Sequence, residues 1–250
     1  MSKSPGRSLL RWSMYRKGLP RIPLGALIDP PSSLSSDQLI KNKSRIGRSL
    51  KRFGDIVFSI LVISIGAPLF IFIALLIKLT SPGPIFYVQR RVGRNYQRFG
   101  CIKFRTMFED ADDVLNDLLA SSDSMRKEFE SDFKLRQDPR ITSIGKFLRR
   151  SSLDELPQFL NVLRGEMSVV GPRPIVEKEL IRYGLFMDEV ASVRPGLTGL
   201  WQVSGRNNLS YKKRIEIDLY YSRNHSLWLD LEIILLTLGV LIFPMDRGAY

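Results

Sequence analysis

The sequence predicts an α+β domain that is mostly helical with short strands and is anchored by one kinked, re-entrant membrane helix. Three observations support this. An apolar segment, Ile56–Ile77, runs for 22 residues without a charge. Short helical and strand-like patterns follow it. Residues 1–45, before it, are rich in Ser, Pro and Arg and have no apolar period, which is typical of a disordered arm.

The positive charge of the chain is concentrated near its start. The net charge is +13, and residues 1–52 hold 12 Lys and Arg against two Asp, so +10 lies there. The near-balanced remainder argues against a nucleic-acid-binding fold and favours an arm that contacts a membrane surface. One cysteine, Cys101, excludes an internal disulfide, and one histidine, His225, leaves no zinc site to propose. Any metal is therefore expected to be a hard cation on carboxylates.

The apolar segment is long enough to cross a bilayer, because 22 helical residues measure about 33 Å. Pro68 lies in its middle, where a proline removes a backbone hydrogen bond and kinks a helix. Lys and Arg flank both ends, so a straight span would place one basic cluster outside, against the positive-inside rule. We therefore predict a helix that enters and leaves the membrane on the same face. The chain then divides into a basic arm (1–47), a re-entrant helix (48–80) and an interfacial domain (81–250).

Short elements fill the interfacial domain. The predicted strands are Ile85–Val88 and Arg98–Phe104, which form a hairpin, then Val169–Val170 and Leu200–Val203. The predicted helical stretches are Glu109–Lys134, Ile144–Arg150, Ile175–Tyr183 and Tyr211–Tyr221, and a turn is predicted over Arg194–Gly199. Leu227–Pro244 is apolar but contains two acids, so we expect it at the membrane interface or in the core rather than spanning.

The stretch Ser151–Pro174 carries the most information. Asp154 and Glu155 lie in the first turn of a predicted helix, where free N–H groups and the dipole favour ionised carboxylates. An ionised carboxylate can act as a nucleophile or bind a metal. The alternative is a structural role, because Ser152 and Glu155 have the spacing of a capping box and Asp154 is itself a good N-cap.

The same helix is predicted to carry a polar stripe. Asp154, Gln158 and Asn161 are spaced i, i+4 and i+7, which places them on one side. Leucines and Phe159 recur on another side, which is expected to be buried. The helix would thus present an acid and two amides together.

Arg173 follows on a rigid backbone. Pro172 and Pro174 fix the chain on either side, and the guanidinium is suited to bidentate recognition of phosphate. The alternative is a surface arginine that pairs with Glu177. Acids for attack or metal binding beside an arginine for phosphate indicate phosphoryl transfer.

An ordered set of segments resembles the bacterial sugar transferase family, the monotopic polyprenyl-phosphate hexose-1-phosphate transferases. The segments are the basic-flanked apolar stretch, KFRTM (103–107), SLDELPQ (152–158), NVLRGEMSVVGPRP (161–174) and RPGLTGLWQVSGRN (194–207). The resemblance covers about residues 48–250. Within that family, the sequence most resembles the galactose-1-phosphate transferases that initiate exopolysaccharide synthesis.

The resemblance implies that UDP-hexose, with galactose or glucose as the sugar, and undecaprenyl phosphate give undecaprenyl-diphospho-hexose and UMP. Asp154 would attack the sugar-proximal phosphorus and form a covalent phosphosugar intermediate, and Glu155 with Asp154 would hold Mg²⁺ or Mn²⁺. Arg173 would bind phosphate. The other motif positions expected to bind substrate are Lys103, Arg149, Gln202 and Arg206. At the membrane kink the family commonly has Ser-Pro, where this chain has Ala67-Pro68.

The resemblance also implies a monotopic protein of the bacterial inner (cytoplasmic) membrane, facing the cytoplasm. Its partners would be UDP-hexose, undecaprenyl phosphate and membrane lipid, without nucleic acid, and a homodimer is an open option. Two other functions stay open. A non-catalytic membrane-anchored adaptor would use the acids and Arg173 only structurally. A metal-dependent phosphatase would use the same acids to release sugar phosphate to water.

Overall fold

The computed structural model of the chain describes residues 45–132, 135, 137–205 and 209–242. Helices predominate in these ranges and the strands are short, which confirms the predicted class. The predicted disordered arm, 1–47, lies outside the described residues except for its last three, which begin the first helix.

The helices, in chain order, are α1 (Arg45–Thr80), α2 (Ala111–Ser121), α3 (Asp123–Asp132), α4 (Ser143–Ser151), α5 (Gln158–Arg164), α6 (Leu180–Tyr183), α7 (Met187–Ala191), α8 (Leu200–Ser204), α9 (Tyr211–Asn224) and α10 (Leu227–Ile242). The strands are β1 (Phe86–Val92), β2 (Arg98–Phe104), β3 (Ser168–Val170) and β4 (Gly196–Thr198). Short 3-10 turns cover Arg94–Tyr96, Leu153–Glu155, Glu177–Glu179 and Gly184–Phe186.

α1 is one continuous helix of 36 residues with Pro68 inside it. Over the described ranges it is the one helix that is long and apolar enough to cross a membrane, judged by length and composition. Its middle is exposed, and Ile65 has 78% of its surface accessible. The helix continues through Pro68, so the bend expected there stays a prediction.

The first flank of α1 is bonded to the rest of the domain. Lys51 Nζ lies 2.6 Å from Asp230 Oδ2 in α10, and Arg52 donates to the carbonyl of Val162. Asp55 accepts from the Ser168 hydroxyl at 2.8 Å. These charges therefore bind protein groups, although their positions beside the apolar segment predict contact with the membrane surface.

The second flank of α1 packs against the same domain. The Phe70 ring lies 5.7 Å from the Phe104 ring, and Ile73 and Ile77 are buried with Leu148. Only ten residues lie between Ser59, which is fully buried, and Phe70. Ten residues measure about 15 Å, half of the roughly 30 Å hydrocarbon core. Both flanks of α1 thus contact the same domain, and the re-entrant arrangement stays a prediction.

β1 and β2 form the predicted antiparallel hairpin, with Phe86 opposite Phe104, and β1 extends to Val92. A type I′ turn closes it, in which Asn95 and Tyr96 have φ of 53° and 61°. β3 and β4 are parallel, with Val170 opposite Thr198.

Two local predictions are wrong. Leu200–Val203 forms helix α8 instead of a strand, and the strand is β4, inside the predicted turn. The pairing of β4 with β3 decides this, and a local pattern does not reveal it. Ile175 forms a bridge with Val92, so helical structure starts only at Glu177 instead of directly after Pro174.

Candidate functional site

The acid pair lies on the 3-10 turn between α4 and α5. Ser152 adopts the left-handed conformation that ends α4, with φ of 58°, and its side chain makes no capping hydrogen bond. α5 begins only at Gln158, so Asp154 is not its N-cap. The capping alternative is therefore wrong, because Ser152 is needed to terminate the preceding helix.

The predicted polar stripe on the helix is also wrong. Asn161 is fully buried, and its Oδ1 accepts from the N–H of Ile102 at 3.0 Å. Its Nδ2 donates to the carbonyl of Gly100 and to Glu166. Asn161 thus fixes α5 against β2, and Gln158 is 2% exposed. Asn161 thus has a structural role, and Gln158 is buried rather than presented to a substrate.

Glu155 forms an ion pair with Lys103 of β2, with 2.6 Å between Oε1 and Nζ. Burial raises the pKa of Glu155, but Lys103, followed by Arg173 and Arg91, lowers it below its usual value overall. Burial lowers the pKa of Lys103, but Glu155 and Asp154 raise it above its usual value. Both members of the pair are therefore charged at neutral pH.

Asp154 is 9% exposed, and its own backbone N–H donates to the carboxylate. Burial and then Glu155 raise its pKa to about 6, while Lys103 and Arg149 oppose this shift. Arg149 is held by a hydrogen bond of 2.9 Å from its Nε to the hydroxyl of Thr106. Asp154 thus has cations nearby and no direct ion pair within the part of the chain that the structure describes.

Hydrogen bonds hold the backbone on both sides of Arg173. Gly171 N–H donates to Thr198 at 3.0 Å. The remaining contacts are Gly196 N–H to the Pro172 carbonyl at 2.8 Å and the Arg91 guanidinium to the Pro174 carbonyl at 3.0 Å. Because both neighbours of Arg173 are prolines, its own N–H is the one donor of that tripeptide, and it donates to Asp218. The main chain that carries Arg173 is therefore immobilised.

The Arg173 guanidinium lies 5.7 Å from the Trp201 ring. The alternative pairing with Glu177 is wrong, because Glu177 pairs with Arg98 at 2.5 Å. A small cavity lies beside Arg173, and its other lining residues are Glu179, Tyr183, Trp201, Tyr211, Arg214 and Asp218. In it the Tyr183 hydroxyl donates to Asp218 at 3.0 Å. Burial raises the pKa of Asp218 to about 7, although Tyr183 and Arg173 lower it.

The structure therefore brings together Lys103, Arg149, Asp154 and Glu155, with Arg173 close enough to affect the pKa of Glu155. Gln202 donates to the carbonyl of Leu197 at 3.2 Å, and its Oε1 is buried without a partner in the described chain. Within the described residues it forms no hydrogen bond with Asp154 or Glu155. Arg206 lies outside the described residues.

Sequence reasoning missed Thr106, Trp201 and Asp218. Asp218 had a detectable signal, because an acid between Ile217 and Leu219 interrupts a buried helical stripe. Thr106 lies in the KFRTM segment (103–107), but its role was not predictable, since its partner Arg149 is 43 residues away.

The carboxylates of the site decide whether it could hold the predicted Mg²⁺ or Mn²⁺. Across the described ranges, no group of three or more His, Cys, Asp or Glu could hold a metal ion. Mg²⁺ usually binds through one or two carboxylates plus substrate phosphates and waters. The adjacent acids, one of them clearly ionised, fit that smaller donor set. Mg²⁺ on Glu155 and Asp154 thus stays a proposal that needs the substrate phosphates.

The sequence profile of the bacterial sugar transferases matches residues 46–244, which is most of the chain. The chain belongs to the bacterial sugar transferase family. Undecaprenyl-phosphate galactose phosphotransferase of Salmonella typhimurium is 49% identical over 207 residues, or 82% of this chain and 43% of that protein. Exopolysaccharide production protein ExoY of Sinorhizobium fredii is 46% identical over 205 residues, or 82% of this chain and 90% of that protein.

A relative named for glucose matches as well. The UDP-glucose:undecaprenyl-phosphate glucose-1-phosphate transferase of Escherichia coli is 38% identical over 206 residues, covering 78% of this chain and 40% of that protein. The chain thus spans less than half of several sugar transferases that it matches, and nearly all of ExoY. The resemblance found in the motifs is confirmed at the level of the family.

Proposed function

We propose that this protein transfers hexose 1-phosphate from a UDP-hexose to undecaprenyl phosphate, in two steps through Asp154. The supporting observation is an acid pair that caps no helix, in which Asp154 is buried and Glu155 half-buried, close to Lys103, Arg149 and Arg173. A family whose named relatives use undecaprenyl phosphate with galactose or glucose supports the same reaction.

In the first step, a carboxylate oxygen of Asp154 attacks the phosphorus next to the sugar. The bond from that phosphorus to the bridging oxygen breaks, and UMP leaves with the electron pair. A phosphosugar ester of Asp154 remains. A carboxylate with a pKa of about 6 is mostly ionised at pH 7, so no further base is required.

In the second step, an oxygen of undecaprenyl phosphate attacks the same phosphorus and displaces the Asp154 carboxylate. The product is undecaprenyl-diphospho-hexose, and the protein regains its starting form. Both steps keep one high-energy phosphoryl bond, so water must be kept away from the ester. The burial of Asp154, with 9% of its surface exposed, serves this purpose.

The cations around the acids stabilise the charge of the diphosphate. Arg173, on its bonded backbone, supplies a fork for two phosphate oxygens. Arg149, oriented by Thr106, faces Asp154 and can hold the incoming lipid phosphate. Mg²⁺ or Mn²⁺, when bound by Glu155 and Asp154, would neutralise diphosphate charge and stabilise the leaving UMP.

The site is proposed to lie at the cytoplasmic face of the inner membrane. Both flanks of α1 contact the domain, which supports a monotopic anchor. α10 adds an exposed apolar stripe of Trp228, Leu231, Leu235, Leu238 and Leu241, while Ile233 on its other side is buried. Such a stripe favours a helix that lies in the interface.

The test uses membranes that contain the full chain, Mg²⁺ and a panel of UDP-sugars. Release of UMP that depends on undecaprenyl phosphate, with a labelled phosphosugar retained on the protein when the lipid is removed, is the expected result. Free sugar phosphate in water would support the phosphatase. No UMP from any UDP-sugar would support the adaptor.

A further inference from the structure

Arg52 and Arg194 bind carbonyls at the carboxyl end of α5, and Arg94 is close enough to Arg194 and Arg48 for their charges to lower its pKa. Arg52 donates to the carbonyls of Val162 at 2.6 Å and Leu163 at 3.0 Å. Arg194 Nε donates to the carbonyl of Gly165 at 2.8 Å. The end of a helix leaves such carbonyls free and carries partial negative charge, so these two arginines have a structural explanation.

Arg94 has no such explanation. It is the first residue of the hairpin turn, half-buried, and its guanidinium donates to no residue in the described part of the chain. Its Nε is closed to solvent and lacks an acceptor there. Burial, Arg194 and Arg48 each lower the pKa of Arg94, so its nearest charges are of the same sign.

The surrounding acids do not balance these charges. Asp55 is close enough to raise the pKa of Arg194, but its two oxygens accept from Ser168 and from the N–H of Val169. Over the described residues, no carboxylate forms an ion pair with any of the four arginines. Clustered cations without a counter-charge favour binding of an anion.

The cluster lies where lipid headgroups are expected. Arg48 and Arg52 precede Ile56, the start of the apolar segment, by eight and four residues. These separations correspond to about 12 Å and 6 Å of helix. The polar layer outside the hydrocarbon core is about 5 to 7 Å thick on each side, so Arg52 lies at its depth and Arg48 just outside it. Guanidinium groups bind phosphate oxygens through paired hydrogen bonds, and basic pockets at this depth hold anionic headgroups.

The cluster is separate from the acid pair. Asp154 and Glu155 precede the first residue of α5, whereas Arg52 and Arg194 bind carbonyls at its last turn. α5 is 7 residues long, about 10 Å. The charges that affect the acids are Lys103, Arg91, Arg149 and Arg173, none of which belongs to the cluster.

We propose that Arg48, Arg52, Arg94 and Arg194 form a binding site for the phosphodiester headgroup of an anionic phospholipid. The guanidinium of Arg94, which has no partner in the described residues, would pair with two phosphate oxygens. Arg48 adds an exposed positive charge beside it. The site requires α1 to lie in the membrane, but it does not depend on the transfer reaction. Bound lipid would fix the hairpin tip against the first flank of α1.

The test is native mass spectrometry of the full chain in detergent, titrated with phosphatidylglycerol or with phosphatidylcholine of the same acyl chains. We expect saturable binding of one phosphatidylglycerol and none of phosphatidylcholine. Arg94→Gln should raise the Kd for phosphatidylglycerol about tenfold. Arg98→Gln is the matched control, since Arg98 lies on the same hairpin and pairs with Glu177 in solvent, and its Kd should be unchanged.

Wild-type affinity in Arg94→Gln would overturn the proposal. Equal weakening by Arg98→Gln would also overturn it, because it would show general charge attraction. Inorganic phosphate is added as a competitor, and complete displacement of the lipid by it would assign the site to a soluble anion instead. Arg48→Gln, at an exposed position, should weaken binding too and replaces Arg94→Gln if that variant fails to fold.

Discussion

Nζ of Lys103 lies 2.6 Å from Oε1 of Glu155, and this ion pair gives two adjacent carboxylates different properties. Glu155 has its pKa lowered, mainly by Lys103 against the effect of burial. Asp154, with no ion pair of its own in the described residues, has its pKa raised to about 6 by burial and by Glu155. One acid is thus suited to remain a fixed charge, and the other to react.

Asp154→Asn should lower the rate of UMP release at least about 10³-fold, because an amide cannot attack the phosphorus as a carboxylate does. The variant should also be more stable at pH 8. In the folded protein the pKa of this carboxyl is about 6, above its usual 3.8. The protein therefore loses stability as the pH rises through that range. Asn removes this cost, on the order of 2 kcal/mol.

The measurements are UMP release and the melting temperature at pH 8 and pH 4. A gain in melting temperature at pH 8 that shrinks at pH 4 is expected. A loss of stability at both pH values would return Asp154 to a structural role, and near-normal turnover would remove it from the reaction.

The rate should depend on pH through Asp154. Because kcat/KM reports the free enzyme, it should fall as the pH drops through about 6, where Asp154 becomes protonated. Lys103 lowers the pKa of Asp154, so Lys103→Gln should move this midpoint to higher pH. Arg98→Gln is the control and should leave it in place. An unchanged midpoint in Lys103→Gln would show that another group titrates.

The limits of the sequence are clearest at Ser152. The spacing of Ser152 and Glu155 predicts a capping box, and the local rule is sound. It fails because α4 runs to Ser151 and needs a left-handed residue next, and because Glu155 finds a partner 52 residues earlier. The hairpin, β3 and α9 were predictable because their patterns are local. β4 was not, since its partner strand decides it.

Removal of divalent metal should stop the reaction. The acids and the diphosphate are all negatively charged, so a divalent cation would reduce their repulsion, and the carboxylate oxygens suit Mg²⁺ or Mn²⁺. EDTA is expected to abolish UMP release, with recovery on addition of Mg²⁺ and not of Ca²⁺ at equal concentration. Glu155→Gln should raise the Mg²⁺ concentration needed for half-maximal activity. Full activity in chelator would refute a metal role.

Arg173→Lys should reduce kcat/KM for UDP-sugar about 10²-fold, because an ammonium cannot form the paired hydrogen bonds of a guanidinium. The backbone of residue 173 is held by Asp218 and the neighbouring strands, so the fold should persist. Arg98→Lys, a solvent-exposed arginine in an ion pair, is the control and should be silent. A silent Arg173→Lys would exclude Arg173 from the site.

The topology of α1 can be tested with single cysteines in a Cys101→Ser background. Ser49→Cys reports the first flank, Leu79→Cys the second, and Ile65→Cys the middle, and all three positions are exposed in the structure. Both flanks contact one domain, and only about 15 Å of helix is free between those contacts, so we expect both flanks in the cytoplasm.

An impermeant maleimide should label neither flank in intact cells and both in inverted vesicles. Ile65→Cys should stay unlabelled in both, because lipid covers it. Labelling of Ser49→Cys alone from outside would show a helix that crosses the bilayer, and the re-entrant prediction would then be wrong.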